Sequence, residues 1–451
     1  MRRINVAAAA LPFVVWGCQV QPAPKYIQQR HATAFEPRAE AQATQTEERP
    51  TESELLKTAD LGLYLRYALF ESAALRRAYE TWRAELERVP QVTTLPDPVF
   101  SFSEFVETIE TRTGPQERRF SLSQTLPWFG KLSGRGDAAS ARAEAAWGRV
   151  LQERLAVERD VAVSFYDYAY LGESVRITRE VLELLQQLEP VVRQRIASAS
   201  ATQEDLLRLQ VEIGRVENDL ASLLSVRPSL SARLASVLNL KMRETLPLPA
   251  LVEPEEFERI SAAELVGRAA ERNPELLSLS ESVRERQEQR ELASLQRWPD
   301  VTVGVDYIDT GDAISPIPDS GNDPVALRLS MNLPIWTEKY SAAEREADRR
   351  TAAASHALAD RKASLRADVE HAAFEFEDAG RQLRLYRESL LPRAREALEV
   401  TRSSYRAGNA SLLDVIDSER VLLDFETAFW RAVRDHYQSE ARLQALIGEE
   451  L

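Results

Sequence analysis

A single cysteine, Cys18, in a chain of 451 residues excludes an intramolecular disulfide framework. Histidine is nearly as scarce. His31, His356, His371 and His436 stand far apart, with no paired spacing that would suit zinc. There is no glycine-rich phosphate loop and no nucleophile elbow, and glycine numbers only 16. Carboxylates are so plentiful that pairs arise by chance and carry no weight as acid–base machinery. The sequence therefore offers no catalytic constellation, no metal site and no cofactor site, and it does not read as an enzyme. Positive charge is in deficit as well: the formal net charge is −14 and no basic stripe offsets it, which argues against nucleic acid as a partner. Beyond the N-terminal segment no apolar run is long enough for a transmembrane helix. What the chain has in abundance is Ala, Leu, Glu and Arg, which predicts a mostly helical body.

Residues 1–18 read as an export signal. Arg2 and Arg3 supply the positive start, and residues 5–17 form an apolar stretch too short to span a bilayer. The segment ends in Val15-Trp16-Gly17-Cys18, which resembles the lipobox of bacterial lipoproteins, although Trp16 stands where a small residue is usual. In such lipoproteins the thiol is diacylated and becomes the mature N-terminus. Gln19, rather than Asp, after the cysteine then favours sorting to the outer membrane. Residues 19–50 are rich in Gln, Ala, Pro and charge without apolar periodicity, and are expected to be a flexible tether.

The rest of the chain is written twice. Leu95-Pro96-Asp97 opens an alternating run ending in Leu126-Pro127-Trp128, and Trp298-Pro299-Asp300 opens another ending in Leu333-Pro334-Ile335. Pro299 follows Pro96 by 203 residues and Pro334 follows Pro127 by 207, a period of about half the chain. Ser72-Ala73-Ala74-Leu75 matches Asn273-Pro274-Glu275-Leu276 at similar spacing, as Pro190 matches Pro392 and Leu206-Leu207 matches Leu412-Leu413. The first repeat spans residues 51–255, with two strands at about 98–126. The second spans 256–449, with two strands at about 300–333. Residues 240–256, with Leu246-Pro247-Leu248-Pro249, are an irregular connector.

The strands alternate strictly. Val325, Leu327, Leu329, Met331 and Leu333 oppose Ala326, Arg328, Ser330 and Asn332; Val301, Val303, Val305 and Tyr307 oppose Thr302, Gly304 and Asp306. Phe120, Leu122 and Leu126 oppose Ser121, Ser123 and Thr125, with Gln124 breaking the apolar row, and Phe100 and Phe102 oppose Ser101 and Ser103. Each strand is about 8–10 residues long, enough to cross a bilayer at a tilt. Asp306 and Arg328 suit a water-filled lumen better than a dry core. Thr302, Asp306, Arg328, Ser330 and Asn332 are therefore expected to face the lumen of a barrel. The connections at 108–117 and 309–323 carry turn chemistry and read as outward loops. Four strands are too few to close a barrel, and an open sheet in lipid leaves unpaired backbone at both edges. In a membrane, several chains must share one barrel; the alternative is a soluble sheet with one solvated face.

A helical tract follows each strand pair, at about 137–199 and 341–406, with a kink or change of helix expected at Pro190 and at Pro392. About 50 helical residues reach roughly 75 Å, which suits a rod of helices packed in coiled-coil fashion.

This order of elements resembles the TolC-type outer-membrane efflux proteins. The residues that carry the resemblance are Asn273-Pro274-Glu275-Leu276, Gln124-Thr125-Leu126-Pro127-Trp128-Phe129-Gly130-Lys131, and the run from Tyr405 through Gly408 to Asp414 and Asp417, with Gly448 near the close. A lipobox-like Cys18 is shared with some members. The resemblance implies a TolC-like fold: mainly α with four strands, a homotrimer sharing one 12-stranded transmembrane barrel, and a long periplasmic helical barrel. It implies a lipid-anchored exit duct in the bacterial outer membrane, passive, driven by an inner-membrane pump through a periplasmic adaptor (membrane fusion protein). It also implies a role for Asp414 and Asp417, one helical turn apart, as acidic rings at the periplasmic aperture, where such rings attract cations. Glu204 and Asp205 are the first-repeat counterparts. In the best-known relatives a basic residue stands two after the glycine and helps hold the aperture shut; here Ala410 takes that place, so the closing network must differ. An outer-membrane channel for type I protein secretion shares this architecture. A periplasmic coiled-coil adaptor is a further alternative, but it should show one helical hairpin rather than a tandem repeat.

Overall fold

The computed structural model describes residues 50–240, 245–254, 261–315 and 318–449. Cys18, the signal segment and nearly all of the expected tether lie outside the described residues. The elements are α1 Glu52–Leu55, α2 Leu61–Glu71, α3 Ala73–Thr93, β1 Val99–Thr111, β2 Gly114–Leu126, α4 Lys131–Ala197 and α5 Gln203–Val237, followed by α6 Ala262–Arg272, α7 Pro274–Leu295, β3 Val301–Thr310, β4 Val325–Met331, α8 Thr337–Leu385, α9 Leu391–Ala407 and α10 Leu412–Ile447. A π-helical turn, Tyr386–Leu390, separates α8 from α9. Over the described residues the protein is mostly helical with four strands, as expected from its sequence.

The duplication shows in how helices start and stop. Ser72 ends α2 and its hydroxyl accepts from the Leu75 amide at 3.1 Å, starting α3. Asn273 ends α6 in the same way, and its side chain accepts from the amides of Glu275 (2.9 Å) and Leu276 (3.1 Å). Each of these residues satisfies amides that a new helix leaves without partners. The α2 and α6 starts are likewise capped by side chains, Asp60 and Ser261.

Two compact units draw on both repeats instead of following them: Ala84–Ala141 with Arg284–Arg350 form one, and the remaining described residues the other. The first holds a four-stranded antiparallel sheet in the order β1-β2-β3-β4, so the β2–β3 pairing joins the repeats. Cross-strand rows are continuous. Phe102, Phe120, Tyr307 and Val325 form one apolar row, and Phe100, Leu122, Val305 and Leu327 the next. On the opposite face lie Ser101, Ser121, Asp306 and Ala326, then Ser123, Gly304 and Arg328, then Thr125, Thr302 and Ser330. The apolar face is the exposed one: Phe100 is 65% exposed and Leu327 86%, while Ser121 and Asp306 are buried.

The strand limits differ from the expected ones. The stretch 108–117, read as a loop, is mostly strand: β1 and β2 run on to a tight turn at Arg112-Thr113, with a register irregularity between Glu104 and Ile109. Threonine and isoleucine in Thr108-Ile109-Glu110-Thr111 favour strand, and that outweighed the turn residues beside them. β4 is shorter than expected and stops at Met331. Asn332 therefore lies beyond the strand, where its side-chain oxygen accepts from the Asp300 amide at 2.5 Å.

The sequence Leu126-Pro127-Trp128-Phe129-Gly130-Lys131 closes the base of this sheet. Lys131 is nearly buried; its Nζ donates to Asp300 Oδ1 and to the Trp298 carbonyl, each at 2.8 Å. Asp300 also accepts from the Trp128 amide at 2.9 Å, and the rings of Trp128 and Trp298 stack 5.2 Å apart. Gln124, the residue that broke the apolar row, donates to the Pro96 carbonyl at 2.7 Å.

The second unit is a helical bundle with several apolar clusters. Tyr64, Phe165, Tyr168, Leu234 and Leu246 anchor one; Leu265, Leu276, Leu365, Val369 and Leu443 anchor another. The connector packs by a bond from the Tyr168 hydroxyl to the Leu246 carbonyl at 2.6 Å. Pro190 does not end or divide its helix: α4 is continuous from Lys131 to Ala197. Pro392, in contrast, follows the π-helical turn. A proline lacks an N–H and crowds the carbonyl four residues back, and widening the preceding turn relieves both problems.

Candidate functional site: the helix-turn tips and the polar sheet face

Within the helical unit, two turns built alike lie together: α4 to α5 at residues 198–202, and α9 to α10 at 408–411. Each begins with a left-handed residue and a six-residue closing bond. At the first, Ala199 has φ 56° and the Ser200 amide donates to the Arg195 carbonyl at 2.7 Å. At the second, Gly408 has φ 84° and the Asn409 amide donates to the Ser404 carbonyl at 2.9 Å. Each ends in a reciprocal cap. The Asp205 amide donates to Thr202 Oγ1 (3.1 Å) while Asp205 Oδ2 accepts from the Thr202 amide (2.8 Å). The Asp414 amide donates to Ser411 Oγ (3.2 Å) while Asp414 Oδ2 accepts from the Ser411 amide (2.8 Å).

The four carboxylates nominated from the sequence thus have distinct surroundings. Asp205 and Asp414 are engaged in starting their helices, and the backbone bond from Ser411 holds the Asp414 carboxyl below its ordinary value. Glu204 is exposed and pairs with Arg208 at 2.5 Å one turn along. Asp417 is 58% exposed and only 3.5 Å from Arg420 Nη1.

A shared core joins the two turns: Leu206, Leu209, Tyr405, Leu412, Val415 and Ile416. The Arg195 guanidinium lies 4.4 Å over the Tyr405 ring and donates to the Tyr405 carbonyl. Arg195 comes from the first turn and reaches the second close to Gly408, a neighbourhood in which Ala410 brings no charge of its own. Burial raises the Tyr405 hydroxyl pKa.

Two charged clusters here were not singled out in the sequence. Glu212 of α5 is buried and accepts from Arg420 of α10 through Nη2 (2.5 Å) and Nε (3.1 Å), and from Arg215 Nη2 at 2.6 Å. Burial pushes the Glu212 carboxyl up, but the bonds from Arg420 and Arg215 outweigh it and hold the pKa down to about 2. Glu419 is also buried, accepts from Arg402 at 2.7 Å, and is raised by burial. The readable signal was spacing. Glu212 falls in the apolar stripe of Leu209 and Val216, and Glu419 in that of Ile416 and Leu423. A carboxylate in such a stripe must find a partner, but which arginine it finds depends on tertiary packing.

In the sheet unit, Thr302, Asp306, Arg328 and Ser330 share one face, and Thr125 and Thr302 hydroxyls meet across it at 3.0 Å. Asn332 lies past the strand end, as described above. Among the described residues no cluster of three or more His, Cys, Asp or Glu is arranged to hold a metal ion.

Residues 265–449 match the family model described as outer membrane efflux protein. Nodulation protein T of Rhizobium leguminosarum bv. trifolii is 25% identical over 382 residues, covering 80% of this chain and 79% of that one. The cobalt-zinc-cadmium resistance protein CzcC of Cupriavidus metallidurans is 22% identical over 368 residues, covering 80% and 83%. The outer membrane protein VceC of Vibrio cholerae shares the fold with a TM-score of 0.71 at 17% identity, over 89% of this chain and 99% of that one. The outer membrane efflux protein model thus covers the second repeat, and the fold that the chain shares with VceC runs through both repeats.

Proposed function

We infer that the protein is the outer-membrane exit duct of a tripartite efflux system, passing solutes from the periplasm to the exterior without an energy source of its own. The observation that carries this reading is the sheet with its apolar rows exposed and Asp306 and Ser121 buried on the other face. In water that arrangement is costly; against lipid, with water on the polar side, it is the stable one. The edges agree. Among the described residues β1 and β4 each have one side without a strand neighbour, which lipid does not tolerate. Pairing of β4 with β1 of the next copy removes the edges, and three copies then share one 12-stranded barrel lined by Thr302, Asp306, Arg328 and Ser330.

On this reading Cys18 carries the lipid anchor, and a periplasmic adaptor and an inner-membrane pump supply the coupling. The helix-turn tips form the periplasmic aperture. Asp417 and Glu204, whose carboxylates are exposed, set its field, while Asp205 and Asp414 fix the turns that present them. Two hairpins of like construction in one chain favour a duct over an adaptor.

The test is reconstitution of the purified full chain in planar bilayers, together with cross-linking in detergent. Discrete conductance steps from a cross-linkable trimer are expected. A monomer that leaves the membrane fraction on sarkosyl extraction and carries no current overturns the reading.

A further inference from the structure

The polar face of the sheet carries one charge cluster. In the rows of Ser101, Ser123 and Thr302 the side chains are mostly small or hydroxylic, with Asp306 and Arg328 the charged exceptions; Arg119 stands in the next row, between Ser103 and Ile308. Asp306 is central. Ser121, its direct neighbour across β2–β3, donates to Oδ1. Arg328 Nη2 stands 3.9 Å from Oδ1 and Arg119 Nη2 stands 3.8 Å from Oδ2.

The register explains how both arginines reach one carboxylate. Arg328 pairs with Gly304, which has no side chain, so the arginine lies across β3 toward Asp306. Arg119 comes from the other side, two residues along β2 from Ser121. The carboxylate side chain is 4% exposed, whereas those of Arg119 and Arg328 are 43% and 47% exposed. Solvent on this face therefore meets two guanidiniums, with the neutralising charge beneath them and only one carboxylate for the two. The surplus is one positive charge per chain, opposite in sign to the net charge of −14 and to the carboxylates at the helix-turn tips.

We propose that Arg119 and Arg328, held over Asp306, are the specificity-determining residues of the strand-lined part of the pore and make it prefer anions. The proposal rests on the duct reading: repeated around a shared barrel, the cluster becomes a basic ring, and rings of arginine select anions where rings of carboxylate select cations. The cargo it favours at this level is anionic, or carries an anionic group at its leading end. Arginine keeps its charge at every physiological pH, so the preference does not depend on the pH outside.

The experiment measures reversal potential in a KCl gradient across planar bilayers holding the full-length channel, and current block by hexametaphosphate added on the side of the sheet loops. Arg119→Gln with Arg328→Gln leaves Asp306 alone. If the local potential falls by about one kT, chloride-to-potassium permeability drops about sevenfold, because the two ions respond in opposite directions. Block by hexametaphosphate is then lost. Asp306→Asn leaves both arginines and shifts the ratio the other way. Arg328→Lys keeps the charge and preserves the wild-type ratio. A role confined to cross-strand adhesion predicts changes in heat resistance of the trimer but no opposed shifts in selectivity. Variants that conduct with unchanged reversal potential and unchanged block overturn the proposal and leave the duct standing. A wild-type protein that never conducts overturns the duct reading itself.

Discussion

Asp205 and Asp414 are similar in chemistry to Glu204 and Asp417 but differ in work. A carboxylate three residues into a helix that accepts from its capping residue's amide is part of the helix start. Asp414→Ala should lower thermal stability in detergent, because the Ser411 amide loses its partner in the reciprocal cap. Asp417→Ala should stay within about 0.5 kcal/mol of the parent and instead shift single-channel selectivity toward anions. Reversed results in calorimetry and bilayer recordings would exchange the two assignments. The turns also differ at their left-handed position: glycine at 408, alanine at 199. An L-residue with a Cβ carries a penalty of about 1 kcal/mol there. Ala199→Gly should therefore raise the melting temperature, whereas Gly408→Ala should lower it. Gly448 is more constrained still, because with φ 92° a Cβ would also come within 2.7 Å of the Arg272 carbonyl oxygen.

Between α5 and α10 the connection is ionic as well as apolar, since Arg420 of one reaches the buried Glu212 of the other. Glu212→Gln removes the charge that both Arg420 and Arg215 were placed to meet. With the arginines half-exposed, the loss should be about 1–2 kcal/mol. It should appear as faster amide exchange over residues 205–216 and 412–423, with the sheet unaffected; uniform loss across the chain would mean the link is not local. Because the folded pKa of Glu212 lies near 2 against an ordinary 4.5, this contribution is complete above about 4.5 and fades as pH falls toward 2. Sequence alone carried much of the architecture at this level. The four strands were legible because a period of two is a strong signal, and the duplication because Ser72-Ala73-Ala74-Leu75 and Leu206-Leu207 recur as Asn273-Pro274-Glu275-Leu276 and Leu412-Leu413 at near-constant spacing. The extent of β1 and β2 was not legible, since Thr113-Gly114-Pro115 marks a turn without saying how far pairing runs up to it. Nor was the continuity of α4 through Pro190, because a proline leaves open whether neighbouring helices hold the backbone in place. The Glu212–Arg420 pair spans 208 residues, and no local pattern encodes it.

The molecule as a whole is acidic and almost free of histidine, so its stability near neutral pH should be flat unless a single group intervenes. His436 is that group. It is 3% exposed, and its ring stacks on Phe376 at 4.5 Å. Burial, with Arg384 nearby, drives its pKa down from 6.5 to about 4 against the raising effect of a backbone bond to Phe376. The folded protein therefore keeps His436 neutral over a range in which the unfolded chain is protonated. The unfolded state binds more protons between about 6.5 and 4, so stability rises with pH there and declines as acid is added. The slope for one such group is up to about 1.4 kcal/mol per pH unit, and it vanishes below about pH 4, where both states are charged. His436→Phe preserves the ring stack and removes the titration. Unfolding of the two proteins compared from pH 7 to pH 4 should give a wild-type curve that falls relative to the variant through this window. Parallel curves would mean that His436 is already protonated in the folded protein, and the acid sensitivity would then have to come from the carboxylates.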